Sequence, residues 1–162
     1  MKRFWKYVLI SALFVGTTDL IAAYVDQFVK TGKFADKMLY YMAGGALGLQ
    51  TSMKGGFWIG LLGLSFHYFI AFSFTLLFFV AYPKLHIQSL NKYLLCIFGL
   101  LYGPFVACFM QFIVLPLTKL PPQSPLVIKK AIIGWMILGV VLGIPIALSA
   151  SRYYDNKNLK EL

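Results

Sequence analysis

Charge is what this chain has least of. Asp, Glu, Lys and Arg make up 12% of its 162 residues, against roughly 25% in soluble domains. Cysteine and histidine are nearly as scarce, at two residues each. Cys96 and Cys108 share one apolar run, and twelve residues of helix would hold them ~18 Å apart, beyond disulfide reach. They are expected to be packing residues, silent about redox compartment. His67 and His86 fall at different depths, which speaks against bis-histidine haem ligation within one chain. No Walker loop, GxSxG, HExxH or CxxC occurs. "GGALG" (44–48) lacks the following Lys and strand context of a phosphate-cradling loop. No catalytic constellation, metal or cofactor is expected, and no enzyme.

Apolar surface is abundant instead. The chain is 60% hydrophobic and 17% aromatic, with a mean hydropathy of +0.77. These values predict a single integral membrane domain over 1–162. The formal charge of +10 comes from 15 Lys and Arg against five Asp and Glu. These cations sit in short stretches between apolar runs, which suits anionic lipid headgroups. No basic block alternates with polar residues, so lipids are the expected partners and nucleic acid is not.

Four runs are long enough to span: Trp5–Tyr24, Phe57–Tyr82, Tyr93–Leu117 and Ala131–Ala150. Each approaches or exceeds the ~20 apolar residues a bilayer requires. Aromatics mark many of the ends, among them Trp5, Tyr24, Trp58, Tyr82 and Tyr93, as interfacial belts do. The predicted class is all-α, a four-transmembrane-helix bundle. Between the first two spans, 34–49 reads as an amphipathic or shallowly re-entrant helix capping the bundle at the interface. Pro83 closes the second run, while Pro104 and Pro145 lie inside spans, where neighbours must satisfy the freed carbonyls. The opening "MKRFWKYVLISALFVG" also fits a secretory signal, but Ile21 and Ala23 beside Asp19 make a poor cleavage site, so a retained first span is expected.

Orientation is poorly determined. One side would hold Lys2, Arg3, Lys6, Lys84, Lys92, Arg152, Lys157 and Lys160. The other would hold Lys30, Lys33, Lys37, Lys54, Lys119, Lys129 and Lys130. The basic head and tail favour both termini on the cytoplasmic side.

Each span carries one notable polar or amphipathic residue: Asp19, His67, Gln111 and Trp135. With the run midpoints at the bilayer centre and directions alternating, all four fall on one side of the midplane, roughly 4–9 Å from it. Each also lies on a stripe of small residues: Ala12, Gly16 and Ala23; Gly60, Gly63, Ala71 and Thr75; Gly99, Gly103 and Ala107; Ala131, Gly139, Gly143 and Ala147. Such stripes let backbones approach, so the four residues are predicted to form an inward polar layer. An ionised Asp at that depth costs ~2.5–3.5 kcal/mol on insertion scales, and a hydrogen bond from His67 would offset part of it. The leading expectation is a structural or accessory protein in which the layer clasps the helices. The alternative is a binding or permeation protein for a proton or small solute, using Asp19 and His67 and working as a homo-oligomer. A membrane-protein partner is the association the first reading expects.

Several stretches, taken in order, resemble a group of small uncharacterised four-span bacterial membrane proteins similar to the YagU-like family: "GTTDLIAA" (16–23), "YYMAGGALG" (40–48), "GLSFHYFIAF" (63–72), "LLYGPFVACFMQFIVLPLT" (100–118) and "GIPIALSA" (143–150). The resemblance implies a multi-pass location in the bacterial inner membrane, and it matches Asp19, His67 and Pro116 to the family pattern. Where the family has a histidine near the start of the last span, this chain has Trp135, which speaks against a two-histidine function. The resemblance implies no particular reaction.

Overall fold

The computed structural model describes residues 2–87, 90–121 and 128–158. Four helices in it are long and apolar enough to cross a membrane: Lys2–Thr31, Phe57–Lys84, Lys92–Leu117 and Ala131–Asn156. In each, only 28% of the most apolar window is buried inside the protein. Leu9, Leu13, Phe14, Phe69, Leu101, Ile133 and Val140 are among the side chains left facing outward. A water-soluble monomer does not carry so continuous an apolar exterior, so the chain is a multi-pass membrane protein with an all-α bundle.

The elements run α1 (Lys2–Thr31), α2 (Met38–Leu47), α3 (Leu49–Ser52), α4 (Phe57–Lys84), α5 (Lys92–Phe109), α6 (Ile128–Leu138) and α7 (Ile144–Asn158). Two short π-helical segments interrupt the later spans, Met110–Val114 after α5 and Gly139–Gly143 between α6 and α7. The chain packs α4 and α7 against α1, and α6 and α7 against α5. The spanning helices outrun the apolar runs. Helix α1 continues past Tyr24 through an i,i+4 ion pair, Asp26 to Lys30 at 2.5 Å, and ends before Gly32, whose φ of +67° turns the chain away. Helix α5 opens on Asn91, whose side chain accepts from the Leu94 N–H at 2.9 Å, an N-cap that satisfies one orphan donor.

The connection between the first two spans holds a helix shorter than 34–49. Residues 34–37 form the turn before α2, and Gly48, at φ +81°, breaks it from α3. Ten residues rise ~15 Å, half of a hydrocarbon core, so α2 does not cross. Gly44 and Gly45 lie inside this helix, in no phosphate-type loop. Helix α2 seats its backbone on α4 at Gly63, where a Cβ would land on the Leu39 carbonyl. It also accepts the Lys119 N–H on the Gly45 carbonyl at 2.9 Å. Thus α2 ties α4 to the end of the third span.

A proline inside a helix deprives the carbonyl four residues earlier of its helical N–H, and at Pro83, Pro104 and Pro145 a neighbouring helix lies against that oxygen. Pro83 frees Phe79, whose carbonyl accepts from the Tyr154 hydroxyl at 2.9 Å. Pro145 sits four residues after Val141, whose carbonyl lies 3.4 Å from the Thr18 hydroxyl of α1. Pro104 frees Leu100, whose oxygen rests against the Gly139 Cα, since a Cβ there would collide with it. That placement is a Cα–H···O contact. Buried Tyr102 adds a bond from its hydroxyl to the Phe74 carbonyl, 2.8 Å, joining α5 to α4.

The two glycine stripes of the later spans meet each other. A Cβ on Gly103 would strike the Gly139 backbone, and one on Gly143 would strike the Gly99 carbonyl. The seam between α5 and the last span is therefore backbone against backbone. At the end of the bundle near the N-terminus, aromatic rings fill the core. Tyr82 and Tyr154 stack at 5.1 Å with an interplanar angle of 11°, and Phe4 packs edge-on to Phe79 and Tyr153.

Candidate functional site

His67 lies four residues after Gly63, on the face of α4 turned towards α1. Its Nε2 is 2.7 Å from the Gly16 carbonyl oxygen. A carbonyl can only accept, so Nε2 carries the proton, and in the neutral ring Nδ1 is left as an acceptor. The local reason is the glycine itself. A Cβ at residue 16 would stand 2.8 Å from the Tyr68 ring and 3.3 Å from the Ala71 methyl. Without it, the α1 backbone comes close enough for the imidazole to reach. Next to this bond the Tyr68 hydroxyl donates to Thr17 Oγ1 at 2.8 Å, the Thr17 proton being used on Leu13.

Asp19 lies three residues beyond Gly16, nearly one turn along the same helix. The direct Asp19–His67 hydrogen bond predicted from depth and stripe does not form. The imidazole proton is taken by the backbone, because Gly16 brings that carbonyl nearer than the carboxylate. The two side chains still share a cavity of about 290 Å³. Tyr41, Met42 and Gly45 of α2 close one side of it. Phe66, Ile70 and Phe74 of α4 and Val106 of α5 supply apolar wall. Met110 and Val114 come from the first π segment, Leu138 stands just before the second and Leu142 lies within it. Thr118 also lines it, with its hydroxyl donated to the Leu115 carbonyl at 2.7 Å.

The chemistry of this cavity is one-sided. Its walls are largely aliphatic and aromatic, and two of its polar groups, His67 and Thr118, have committed a proton to backbone carbonyls. The His67 Nε2–H goes to Gly16 and the Thr118 hydroxyl to Leu115. Beside these bonds the Asp19 carboxylate and the second imidazole nitrogen supply acceptor capacity. Asp19 and His67 offer two ligands for a metal, and among the described residues no group of three or more His, Cys, Asp or Glu side chains comes together.

Two members of the predicted polar layer are elsewhere. Gln111 and Trp135 are half-buried, and neither lines the cavity. The i,i+4 spacing that placed Gln111 below Gly103 and Ala107 assumes a continuous α-helix. The π segment begins at Met110, and its wider turns rotate the residues beyond that point out of register. Met110 and Val114 face the cavity in its place. In the last span Gly139 and Gly143 turn towards α5, and the residues one position earlier, Leu138 and Leu142, line the cavity. Trp135, in register with the glycines, does not. Sequence reasoning also missed Tyr41, Met42 and Gly45, because no local signal says where a short connecting helix docks. Cys96 and Cys108 are unbridged and half-buried on α5.

No family model matches the chain, and neither a curated protein nor a solved structure does.

Proposed function

We propose that this chain is a membrane protein that binds a small, mostly apolar amine in the cavity beneath α2, with Asp19 receiving the ammonium group. The observation that carries the reading is the pairing of apolar walls with the Asp19 carboxylate, set beside a His67 ring whose proton is already given to Gly16. An acceptor-rich end in low dielectric favours a donor-rich, cationic head, and the wall favours an aliphatic or aromatic body. At about 290 Å³ the cavity is at the small end of the ~300–1,000 Å³ usual for ligand sites. A single-ring amine is the appropriate size. Binding, or carriage of the bound amine across the membrane, is the proposed activity, with no chemical conversion. The proposed location is the bacterial inner membrane, and the resemblance to YagU-like proteins supports it.

The test is isothermal titration of the protein in nanodiscs with benzylamine and its isosteric alcohol. The amine is expected to bind about tenfold or more tightly than the alcohol, the scale of one hydrogen bond to a charged group. Asp19→Asn is expected to erase that preference while leaving the protein folded. Equal affinities for amine and alcohol, or no binding of either to folded protein, would overturn the reading.

The second reading, a helix clasp of an accessory protein that docks other membrane proteins, is favoured by a different observation. The His67 bond to Gly16 joins α4 to α1 and involves no ligand. The two readings divide between the residues: His67 serves packing, and Asp19 serves binding.

A further inference from the structure

At the opposite end of α1 from Asp19, a groove of about 650 Å³ runs between α1 and α7. Arg3, Lys6 and Arg152 line it, with Tyr7, Ile10, Ser11 and Ser149. Thirteen residues of helix separate Lys6 from Asp19, ~20 Å, so this site is independent of the cavity. We propose that the groove holds the phosphate of an anionic phospholipid, its headgroup on the three cations and its acyl chain along the outer face of α1.

Three features point to that ligand. The first is uncompensated charge. Among the described residues the sole ion pair is Asp26 with Lys30, on the far part of α1. No carboxylate among them therefore pairs with Arg3, Lys6 or Arg152. The nearby Asp155 accepts instead from the Ser151 hydroxyl at 2.9 Å. Three cations brought together at a helix end without a counter-ion among the described residues repel one another, and a phosphate relieves that repulsion. The second is preorganisation. The Arg3 guanidinium carbon lies 5.9 Å from the centroid of the Tyr7 ring. Stacking on the ring holds the planar fork and leaves its edge donors for the bidentate geometry phosphate prefers.

The third is the order of groups along the helix. Arg3 and Lys6 come first, then the Tyr7 ring, then outward-facing Ile10 beside the Ser11 hydroxyl paired with Ser149, and then outward-facing Phe14. The cations come first and the hydroxyl and aliphatic surface follow together, as a phospholipid presents its phosphate ahead of its ester and chain. A free phosphate ion has no use for the aliphatic part. Ile10 and Phe14, both 57% exposed, are one turn apart and give the chain a continuous track.

The experiment uses full-length protein, stripped of lipid in a non-ionic detergent and titrated with short-chain phosphatidylglycerol, short-chain phosphatidylcholine or inorganic phosphate while thermal unfolding is followed. Phosphatidylglycerol is expected to raise the unfolding temperature saturably, phosphatidylcholine much less, and millimolar phosphate not at all. The triple variant Arg3→Gln, Lys6→Gln, Arg152→Gln is expected to weaken the phosphatidylglycerol response about tenfold or more in concentration. A charge-matched control, Lys30→Gln, Lys33→Gln, Lys37→Gln, removes three cations near the other end of α1 and is expected to keep the response. Arg152→Gln alone, at an exposed position, gives the same reading with a smaller shift if the triple variant does not fold. An equal response to phosphatidylcholine, an equal loss in the control, or an unchanged response in the variants would overturn the site. A response to phosphate matching that to phosphatidylglycerol would overturn the lipid and assign the groove to the free ion.

Discussion

Two seams of the bundle start from the same residue type and end differently. Where α5 meets the last span, glycine faces glycine, at Gly99 with Gly143 and Gly103 with Gly139, and the backbones touch. Where α1 meets α4, one glycine, Gly16, faces the Tyr68 ring. The first seam closes; the second is propped by an aromatic side chain and opens beside it into the cavity holding Asp19 and His67. Small residues on both helices make a joint, whereas small on one and large on the other makes a joint with space next to it. In a membrane the difference matters, because close packing supplies much of the attraction that the hydrophobic effect supplies in water.

The comparison is broken most severely at Gly143. Its Cβ would have to occupy the place of the Gly99 carbonyl oxygen, and backbone cannot swing aside as a side chain does. Gly143→Ala is expected to cost upwards of the ~1–3 kcal/mol typical of overpacking, seen as a large fall in thermal unfolding temperature or loss of a monodisperse species. Gly16→Ala meets the Tyr68 ring at 2.8 Å, and a ring can shift, so it is expected to cost clearly less. Gly134→Ala is the reference. Nothing lies within 4 Å of its Cβ, so it is expected to be neutral or to stabilise by up to ~1 kcal/mol through helix propensity. If all three variants behave alike, the distinction between the seams fails.

The next effect separates the two cavity residues. His67→Phe removes the bond to the Gly16 carbonyl and is expected to lower stability in detergent by about 0.6–1.7 kcal/mol, the range for intramembrane hydrogen bonds. Asp19→Asn removes a carboxylate from low dielectric without breaking a bond to His67. It is expected to leave stability unchanged or raised, and to abolish amine preference. Destabilisation by Asp19→Asn as large as that by His67→Phe would return Asp19 to a packing role.

The spans are legible in the sequence because their signal is composition summed over ~20 residues, which tolerates error in any one of them. The small stripes are legible for the same reason, and Gly99, Gly103, Gly139 and Gly143 meet as their spacing requires. The layer of four polar residues is half legible. Asp19 and His67 precede any irregularity in their helices, so a 3.6-residue period carries them to one place. Gln111 falls within a π segment, and Trp135 lies in i,i+4 register with Gly139 and outside the cavity lining. The partner of the imidazole is hidden because sequence names side chains, and the acceptor is a backbone carbonyl exposed by a missing side chain at Gly16. The roof is legible as a helix capping the bundle, but not where it docks, since the seating of α2 on Gly63 is a tertiary fact.

The smallest effect tests how the spans tolerate proline. Tyr154 donates to Phe79, the carbonyl that Pro83 leaves without its helical N–H. Tyr154→Phe removes the donor, keeps the ring stacked on Tyr82, and leaves one acceptor unpaired, at a cost of about 0.6 kcal/mol, the average for such bonds. Pro83→Ala restores an N–H at residue 83, which can pair with the Phe79 carbonyl. In that background Tyr154→Phe is expected to cost little, because the carbonyl no longer depends on the hydroxyl. The coupling therefore has a definite sign: the Tyr154→Phe penalty shrinks when Pro83 is absent. A double-mutant cycle on unfolding in detergent reads it directly. Equal penalties in the two backgrounds would mean that the hydroxyl does not compensate the proline, and that the Phe79 carbonyl finds another donor.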